Sequence, residues 1–469
     1  MAARASRPWL LLLGIAGVAC SAPAPGGPVP GMEVMDPCAA PTGPGTMHQG
    51  FITSDEIWTA ATSPHRVTAA LDVRDGATLT LEACAIVEVA SEVSITIGQS
   101  GAAPTSRLVA EGKTNASGDS MPVVIRSVSD TAHWGALRVV EHGFLDANLL
   151  ALVRGGGSSS GAALYAQGDD NRLAPVPMVR ANGLVIANSL TLGFRIEASA
   201  GFTEDSSELI VQGAGSGGGV TEGIDTRYAG YVELPAVHTL PRSSSYTGNA
   251  IDAIWVHAGF TVAADETFRE VGVPYQVRAG LKLAPSAGST ASLTIEPGVT
   301  IRFSHEGYAS GVLELGDGAQ GTNQAQVRLS AAGTAERPIR FTSGMKTPAP
   351  GDWLGVIWVA GPATGNSVKN AIFEYGGKHA GLNGYGCGPG TVDALLVLRD
   401  WRPEEAFLDG CSFRSSAGGG VVSGWSSDAM TPDLKSPNTF EQIANGCDVS
   451  QPKHEDGTCP GNDQVPDCF

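Results

Sequence analysis

The chain has 469 residues, a formal net charge of −18, 62 glycines and an aromatic content of 6%. Such an acidic chain is a poor ligand for nucleic acid or for anionic lipid headgroups, although acidity is also an ordinary way to remain soluble. Few stretches repeat apolar residues every 3.6 positions, which argues against helix bundles and doubly wound sheets. We therefore expect an all-β fold.

The first twenty residues are predicted to be an export signal. Arg4 and Arg7 precede the apolar run LLLLGIAGVA, which is too short to span a bilayer, and small residues then lead to Cys20. This arrangement resembles a bacterial lipoprotein signal, with Gly17 where that pattern usually has Leu or Val. The resemblance implies that Cys20 is lipidated and becomes the mature N-terminus, and Ser21 resembles the residue that follows it in outer-membrane lipoproteins. A plain secretory signal is the alternative.

Residues 20–47 are predicted to form a tether. The segment is rich in Pro, Gly and Ala, as in SAPAPGGPVPG and PTGPG, and such a composition cannot bury a core. No later stretch is long and apolar enough to span a bilayer, so an acyl chain on Cys20 is the expected membrane attachment. Removing residues 1–19 takes away two arginines and no acid, which lowers the net charge to −20.

Residues 293–358 have the pattern of strands separated by turns. The segments LTIEPGVTIRF, VRLSAAGTAERPIRFTS and GDWLGVIWV contain short runs of alternating apolar residues, broken by Gly and Pro. An earlier copy of the same pattern places Gly76 over Gly298 and Trp134 over Trp353. Because similar blocks recur in one order, the sequence predicts a duplicated solenoid in which each coil packs on the next.

These segments resemble the right-handed parallel β-helix of the pectin-lyase-like superfamily, and particularly its bacterial secreted lipoproteins. The resemblance implies a β-helix over residues 48–425 with related halves at about 65–160 and 275–380. Residues 426–469 would form a Cys-containing C-terminal cap. About 15 coils, each rising about 4.8 Å, would give a rod near 70 Å long. Because this fold carries both polysaccharide-degrading enzymes and binding proteins, it does not specify an activity.

Seven cysteines follow Cys20, and an exported protein would use them in disulfides. They are Cys38, Cys84, Cys387, Cys411, Cys447, Cys459 and Cys468. Cys387 and Cys411 are separated by about one coil, so we expect them to lie on neighbouring coils and to form a bond. Cys38 with Cys84 would attach the end of the tether to the first coils. The cysteines of the tail suggest a stapled cap, and the odd count leaves at least one without an intrachain partner.

The strongest catalytic candidate is Asp169 with Asp170, in the segment Gly-Asp-Asp. This segment resembles the paired aspartates of polygalacturonases, in which two carboxylates act across a glycosidic bond. The Asn-Thr-Asp, Gly-His-Gly and Arg-x-Lys motifs of those enzymes are missing from the sequence, and AQGDDNRLAP also has the composition of a solvated turn. We find no His-Glu-x-x-His and no Cys/His metal spacing, so no metal and no cofactor are predicted.

The equivalent tryptophans Trp134 and Trp353 have two interpretations. They could be exposed platforms for sugar rings, or they could pack in the core beside their glycines. Taken together, the sequence predicts a non-catalytic, outer-membrane-anchored lipoprotein whose β-helix binds carbohydrate or protein or has a structural role in the envelope. The alternative is a polysaccharide lyase or glycoside hydrolase. The expected partners are the membrane, through Cys20, and polysaccharide or envelope proteins, but not nucleic acid.

Overall fold

The computed structural model describes residues 38, 40–101, 103–169, 175–221, 223–258, 261–278, 280–304, 311–316, 325–359, 364–378, 387, 392–399, 401, 403, 405–424, 432–461 and 467–469. The signal peptide, most of the tether, Cys20 and Asp170 lie outside these residues.

The described residues form short strands and two 3₁₀ helices. The strands of the first half are β1 Thr46–Ile52, β2 Glu56–Trp58, β3 His65–Val73, β4 Thr78–Glu82, β5 Ile86–Val89, β6 Ile95–Ile97, β7 Ser106–Glu111, β8 Lys113–Thr114, β9 Ser120–Met121, β10 Val123–Ser127, β11 Leu137–Val139, β12 Gly143–Asn148, β13 Leu150–Val153, β14 Ala162–Gln167, β15 Val176–Asn182, β16 Val185–Ala187, β17 Leu192–Glu197, β18 Ala200–Phe202, β19 Ile210–Gln212, β20 Val220–Thr221, β21 Ile224–Asp225 and β22 Tyr228–Glu233. The 3₁₀ helices are Ala60–Thr62 and Leu234–Thr239.

The second half has the same character. Its strands are β23 Ile251–His257, β24 Thr261–Val262, β25 Glu266–Phe268, β26 Tyr275–Arg278, β27 Gly280–Leu283, β28 Thr290–Ile295, β29 Thr300–Ser304, β30 Val312–Leu315, β31 Gln326–Ala332, β32 Ile339–Ser343, β33 Gly355–Val359, β34 Ser367–Lys369, β35 Ala371–Glu374, β36 Ala394–Arg399, β37 Leu408–Asp409, β38 Ser412–Ser416, β39 Gly419–Val422, β40 Thr439–Ile443, β41 Val449–Gln451 and β42 Asp467–Cys468.

Four long sheets run along the molecule. Sheet 1 has 19 strands and includes β1, β3, β5, β6, β10, β11, β13, β14, β16, β17, β19, β22, β23, β26, β29, β32, β35, β38 and β40. Sheet 2 contains β2, β4, β7, β12, β15 and β18, and sheet 4 contains β25, β28, β31, β34 and β37. Sheet 3 contains β24, β27, β30, β33, β36, β39, β41 and β42. Among the described strands of these sheets, every pairing is parallel except that of β41 with β42.

The chain visits the sheets in a fixed cycle. In the second half β26, β27 and β28 belong to sheets 1, 3 and 4, and β29, β30 and β31 repeat that order one coil later. In the first half β10 and β11 belong to sheet 1 and β12 to sheet 2, and β13, β14 and β15 follow in the same way. A strand that always pairs in parallel with its counterpart in the next turn defines a parallel β-helix, so the predicted fold is confirmed.

The core lies inside the coils because alternate side chains of each strand point inward. One internal stack consists of Phe341, Phe373, Phe413 and Phe440. The centroids of successive rings lie 4.8, 4.9 and 5.1 Å apart, with interplanar angles of 8°, 4° and 9°. This spacing matches the distance of about 4.8 Å between neighbouring strands, so each coil contributes one ring to the stack.

Trp134 and Trp353 are core residues, which decides between the two interpretations of the sequence. Both are fully buried. The Nε1 of Trp134 donates to the carbonyl oxygen of Val153 at 2.9 Å, and the Nε1 of Trp353 donates to that of Glu374 at 2.8 Å. Neither indole is available to stack against a sugar.

The proposed alignment of Gly76 with Gly298 is wrong. Gly76 precedes β4 in sheet 2, whereas Gly298, with φ of 93°, precedes β29 in sheet 1. The residue that stands in the corresponding turn, between β4 and β5, is Cys84, which also has a positive φ, of 65°. The pattern of apolar residues repeats in every coil, so an alignment from the sequence alone can match a glycine to the wrong turn of the coil.

The parallel pairing also continues beyond the expected boundary at residue 425. The strand β40 pairs with β38, and β41 pairs with β39. Only β42, which runs antiparallel to β41, departs from the coil pattern. The cap is therefore shorter than the sequence suggested.

The disulfides match the sequence in part. Cys38 is bonded to Cys84, the pairing expected from the sequence, and Cys447 is bonded to Cys468. The expected bond between Cys387 and Cys411 is wrong, because Cys387 is bonded to Cys459 and Cys411 is a buried free thiol. The cause is position within the coil: Cys387 lies in the connection between β35 and β36, whereas Cys411 lies between β37 and β38, at a different corner.

Among the described residues, no helix is long and apolar enough to cross a membrane.

Candidate functional site

The outer face of sheet 1 carries a continuous line of side chains, one from each coil. Parallel pairing places Arg138 beside Tyr165, Tyr165 beside Arg195, Arg195 beside Tyr231, and Tyr231 beside Trp255. We call these five residues the arginine–aromatic row. Each lies between two inward-pointing residues, as Tyr165 does between Leu164 and Ala166, and alternation therefore directs the row outward.

Cations and rings alternate along much of the row. The Cζ of Arg138 lies 5.7 Å from the ring centroid of Tyr165, and that of Arg195 lies 5.3 Å from Tyr165 and 5.6 Å from Tyr231. These distances are within the range of about 6 Å for cation–π attraction. The rings of Tyr231 and Trp255 are 5.8 Å apart in an edge-to-face arrangement. Neighbours therefore cover the ring faces, and Tyr165, Tyr231 and Trp255 are only 7%, 3% and 3% exposed.

Glu197 anchors the centre of the row. Its Oε1 accepts a hydrogen bond from the Tyr165 hydroxyl at 2.6 Å, and its Oε2 accepts one from the Arg195 Nε at 2.7 Å. Burial, followed by the hydrogen bond to Glu197, raises the pKa of Tyr165 well above its usual value. Tyr165 therefore stays a neutral donor at ordinary pH, and the row is a fixed structural element rather than a set of proton-transfer groups.

The row opens into a pocket at Arg138. In the two preceding coils the positions in register with Arg138 are Thr96 and Asp72, whose side chains are much shorter. The pocket has a volume of about 550 Å³ and is lined by Asp72, Arg74, Thr96, Gly98, Gln99, Ser100, Arg138, Val140, Glu141, Gln167, Gly168 and Asp169. We call it the row pocket. It spans the coils of β3, β6, β11 and β14.

Arg138 has an unusual environment for an arginine in an acidic protein. Within the described part of the chain it forms no hydrogen bond and no ion pair, and its buried Nε has no acceptor. By contrast, Arg66 and Arg126 on the same sheet both pair with Glu88, at 3.3 and 2.9 Å. Arg138 therefore keeps unused donors beside an open, polar pocket.

A second pocket adjoins the first around the corner between sheets 1 and 2. It has a volume of about 330 Å³ and is lined by Thr105, Arg107, Glu141, His142, Gly143, Phe144, Gly168, Asp169, Val176, Pro177 and Met178. The Cζ of Arg107 lies 4.9 Å from the centroid of the Phe144 ring. Glu141, Gly168 and Asp169 line both pockets, so together the pockets form one bent groove.

The catalytic candidate Asp169 therefore lies at this groove, while Asp170 is outside the described residues. Two more carboxylates line the row pocket, those of Asp72 and Glu141, and sequence analysis did not identify either of them. Among the described residues, no group of three or more His, Cys, Asp or Glu side chains could hold a metal ion. The chemistry available in the described lining is hydrogen bonding, charge and carboxylate acid–base chemistry.

Sequence analysis missed the row because its members are 24 to 36 residues apart and the coils differ in length. A signal was present in the short segments themselves. Leu-Tyr-Ala, Phe-Arg-Ile, Gly-Tyr-Val and Ile-Trp-Val each place one aromatic or basic residue between small or apolar residues. The pairing register was needed to align these segments.

Comparison with known proteins supports the fold. A family model described as a pectate-lyase-like beta helix domain matches residues 265–387. This chain is a right-handed parallel β-helix. No curated protein and no solved structure matches the chain. The matched segment lies in the second half, whereas the row pocket lies in the first half, so the match carries no information about the pocket.

Proposed function

We propose that the protein is a lipid-anchored component of the cell envelope that binds a neutral, hydroxyl-rich glycan in the row pocket without cleaving it. The observation that carries this proposal is a polar pocket of about 550 Å³, open on the face of a rigid solenoid, next to an arginine with unused donors. The fold supports the proposal only in general terms, because β-helices carry binding proteins as well as enzymes.

The charge of the described lining favours a neutral ligand. Arg74 and Arg138 are opposed by Asp72, Glu141 and Asp169, so the groups nearly balance, and a strongly anionic polymer would meet three carboxylates. Gln99 and Gln167 add amides that both donate and accept hydrogen bonds. A sugar hydroxyl also donates and accepts, so a mixed lining of this kind suits a sugar better than a uniformly charged ligand.

The proposal is tested by measuring binding of the full-length protein to a panel of neutral and acidic polysaccharides. We expect binding to at least one neutral glycan, and a loss of roughly fivefold or more in affinity for the double variant Gln99→Ala/Gln167→Ala, since each amide contributes about one hydrogen bond. Gln326→Ala, at an exposed position of β31 in sheet 4, is the matched control. Preference for polyanions, or no binding to any glycan, would contradict the proposal.

A lyase or hydrolase is the second candidate, and one observation favours it. The carboxylates of Asp72, Glu141 and Asp169 line one pocket, and glycoside hydrolysis uses a pair of carboxylates on either side of the scissile bond. Incubation of the protein with the bound glycan, followed by measurement of new reducing ends and unsaturated products, separates the two candidates. Turnover that is abolished by Asp169→Asn would establish the enzyme and overturn the non-catalytic proposal.

A further inference from the structure

The row pocket interrupts the line of cations and rings on the outer face of sheet 1. On the far side of the pocket from the row, the Cζ of Arg74 lies 3.4 Å from the centroid of the Phe51 ring. Phe51 is in register with Asp72, Asp72 is in register with Thr96, and Thr96 is in register with Arg138. The outer face of sheet 1 thus has a ring and an arginine on one side of the pocket, and an arginine and a ring on the other.

The coil between the two arginines contributes little volume. Its outward residues at this point are Thr96 and Gly98, and both line the pocket. A Cβ on Gly98 would lie 2.4 Å from the backbone nitrogen of Gly143, so a larger side chain is excluded there. Arg74 belongs to the coil of β3 and Arg138 to that of β11, with only β6 between them, so their backbones are about 10 Å apart along the rod.

The two arginines keep unused donors. The Nε atoms of Arg74 and Arg138 are both buried without a hydrogen-bond acceptor. Arg74 has one ion-pair contact, with Asp75 at 3.5 Å, which is too long for a strong hydrogen bond. Arg74 is offset from Arg138 by two residues along the strand direction, because Val73 and Val139 are both in register with Ile97. A ring placed over the coil of β6 would have one of the two arginine coils on each side.

We propose that the gap between Arg74 and Arg138 binds a planar aromatic ring that carries a polar substituent, such as the aryl group of an aryl glycoside. The ring lies over the coil of β6, between two arginines whose guanidinium groups already lie near one ring each. The substituent faces the polar lining, where Gln99 and Glu141 supply a donor and an acceptor. The inference concerns the same pocket as the proposed function, and it names a specific group on the ligand.

The experiment compares two probes that differ only in aromaticity, phenyl β-glucoside and cyclohexyl β-glucoside, by calorimetric titration of the full-length protein. The sugar and the size of the ring are matched, so only the π face differs. We expect the phenyl probe to bind roughly three- to thirtyfold more tightly, which is the effect of one or two cation–π contacts. Equal affinities, or no binding of the phenyl probe, would overturn the inference.

Two variants test whether the guanidinium group of Arg138 causes the preference for the phenyl probe. Arg138→Met keeps an apolar stem of similar length but removes one of the two cations, so it should reduce the preference for the phenyl probe. Arg126→Met, on the same sheet but paired with Glu88 and outside the pocket, should leave the preference unchanged. A preference that is undiminished in Arg138→Met would overturn the role of that guanidinium. Binding of unsubstituted neutral polysaccharide by a protein that shows no phenyl preference would contradict this inference and leave the proposed function standing.

Discussion

At the scale of single residues, a ring cluster lies at the N-terminal end of the core. His48 stacks on Trp58 at 3.9 Å, and Trp58 stacks on His65 at 4.9 Å. The Nε2 of His65 lies 3.0 Å from the carbonyl oxygen of Thr59, which can only accept, so this nitrogen carries the proton. The Nδ1 of His65 is then the acceptor for the Nε2 of His48 at 3.1 Å. If Nδ1 of His65 also carried a proton, it would be a donor facing the Nε2 donor of His48, and the hydrogen bond between the two rings would be lost.

This cluster predicts acid sensitivity of the first coil. Burial lowers the pKa of His65 below the ordinary value of 6.5, and burial together with the charge of His65 lowers that of His48. Because the unfolded chain then binds more protons than the folded chain, the stabilisation is complete above about pH 6.5 and declines as the pH falls below it. The protection factors of the β1 and β2 amides, which correct exchange rates for the base catalysis of intrinsic exchange, should therefore be smaller at about pH 5 than at about pH 7.5.

The matched variant for this prediction is His65→Gln. A glutamine can donate to the carbonyl of Thr59 and accept from His48, but it does not titrate. We expect the pH dependence of the protection factors in β1 to be smaller in this variant. An unchanged dependence would show that His65 is not the group responsible.

The buried tryptophans predict a second residue-scale effect. Trp353→Phe keeps a ring in the core but leaves the carbonyl of Glu374 without its donor, which should cost about 1 to 3 kcal/mol of unfolding free energy. Trp134→Phe should cost a similar amount through the carbonyl of Val153. Equilibrium denaturation measures both, and a loss well below 1 kcal/mol in either variant would mean that water replaces the indole donor.

At the scale of elements, buried charge ties neighbouring strands together. Glu374 of β35 accepts hydrogen bonds from Arg340 of β32 at 2.6 Å and from Arg414 of β38 at 2.7 Å, and its side chain is 5% exposed. Thr342 donates to the same carboxylate at 2.9 Å. Burial alone would raise the pKa of Glu374, but the bonds from Arg340, Arg414 and Thr342 outweigh burial and lower it. One carboxylate therefore links three successive coils.

Removing this carboxylate should be costly. Glu374→Ala leaves two arginines, each about a third exposed, facing each other across the gap, and the loss of their charged hydrogen bonds should cost about 1.5 to 3 kcal/mol. Since the pKa of Glu374 is lowered by folding, its contribution should be present above the ordinary pKa of 4.5 and be lost as the pH falls below it. Denaturation curves across this range test both claims, with Glu88→Ala, whose arginines are about 45% exposed, as the more tolerant control.

The strands themselves could be predicted from the sequence, because alternating apolar residues report which side chains point inward. Val299, Ile301 and Phe303 were identified in this way and are buried. The pairing of strands across coils could not be predicted, because it depends on loop length. Thus the predicted Cys387–Cys411 bond placed the two cysteines at the same corner of neighbouring coils, whereas they lie in different connections, and the arginine–aromatic row was not foreseen. Of the pocket residues, only Asp169 was named beforehand, on a short motif rather than on geometry.

At the scale of the whole molecule, disulfides stabilise both ends of the rod. Cys38–Cys84 joins the first described residue to the first coils, and Cys447–Cys468 closes the antiparallel cap. Cys411 is buried between them as a thiol, and burial raises its pKa to about 11. A thiol that is both buried and protonated reacts slowly.

The cysteine pattern gives a direct prediction. Among the seven cysteines that follow Cys20, a thiol reagent should label none in the native protein and only Cys411 after denaturation without reductant. Peptide mapping should identify Cys38–Cys84, Cys387–Cys459 and Cys447–Cys468 as the bonded pairs. Labelling of Cys387 or Cys459 under these conditions would contradict the arrangement of the C-terminal end.

The membrane attachment is a further whole-molecule prediction, argued from the sequence alone. If Cys20 is acylated, Cys20→Ala should convert a membrane-associated protein into one recovered in the soluble fraction, since a lipid anchor is the expected attachment. Metabolic labelling with a radioactive fatty acid gives the independent readout. Labelling that persists in Cys20→Ala would place the anchor elsewhere.

Coils of very different length share one rise along the rod. Arg66 meets Glu88 across a coil of 22 residues, whereas Glu374 meets Arg414 across one of 40. In both coils the strands pair in parallel with their counterparts one turn later, so the additional residues do not change the register. An insertion in such a loop therefore alters the surface near one coil but does not move any other side chain along the axis. Loops can therefore change in length one at a time. A binding site built from several coils keeps the spacing between its side chains while the loops around it change.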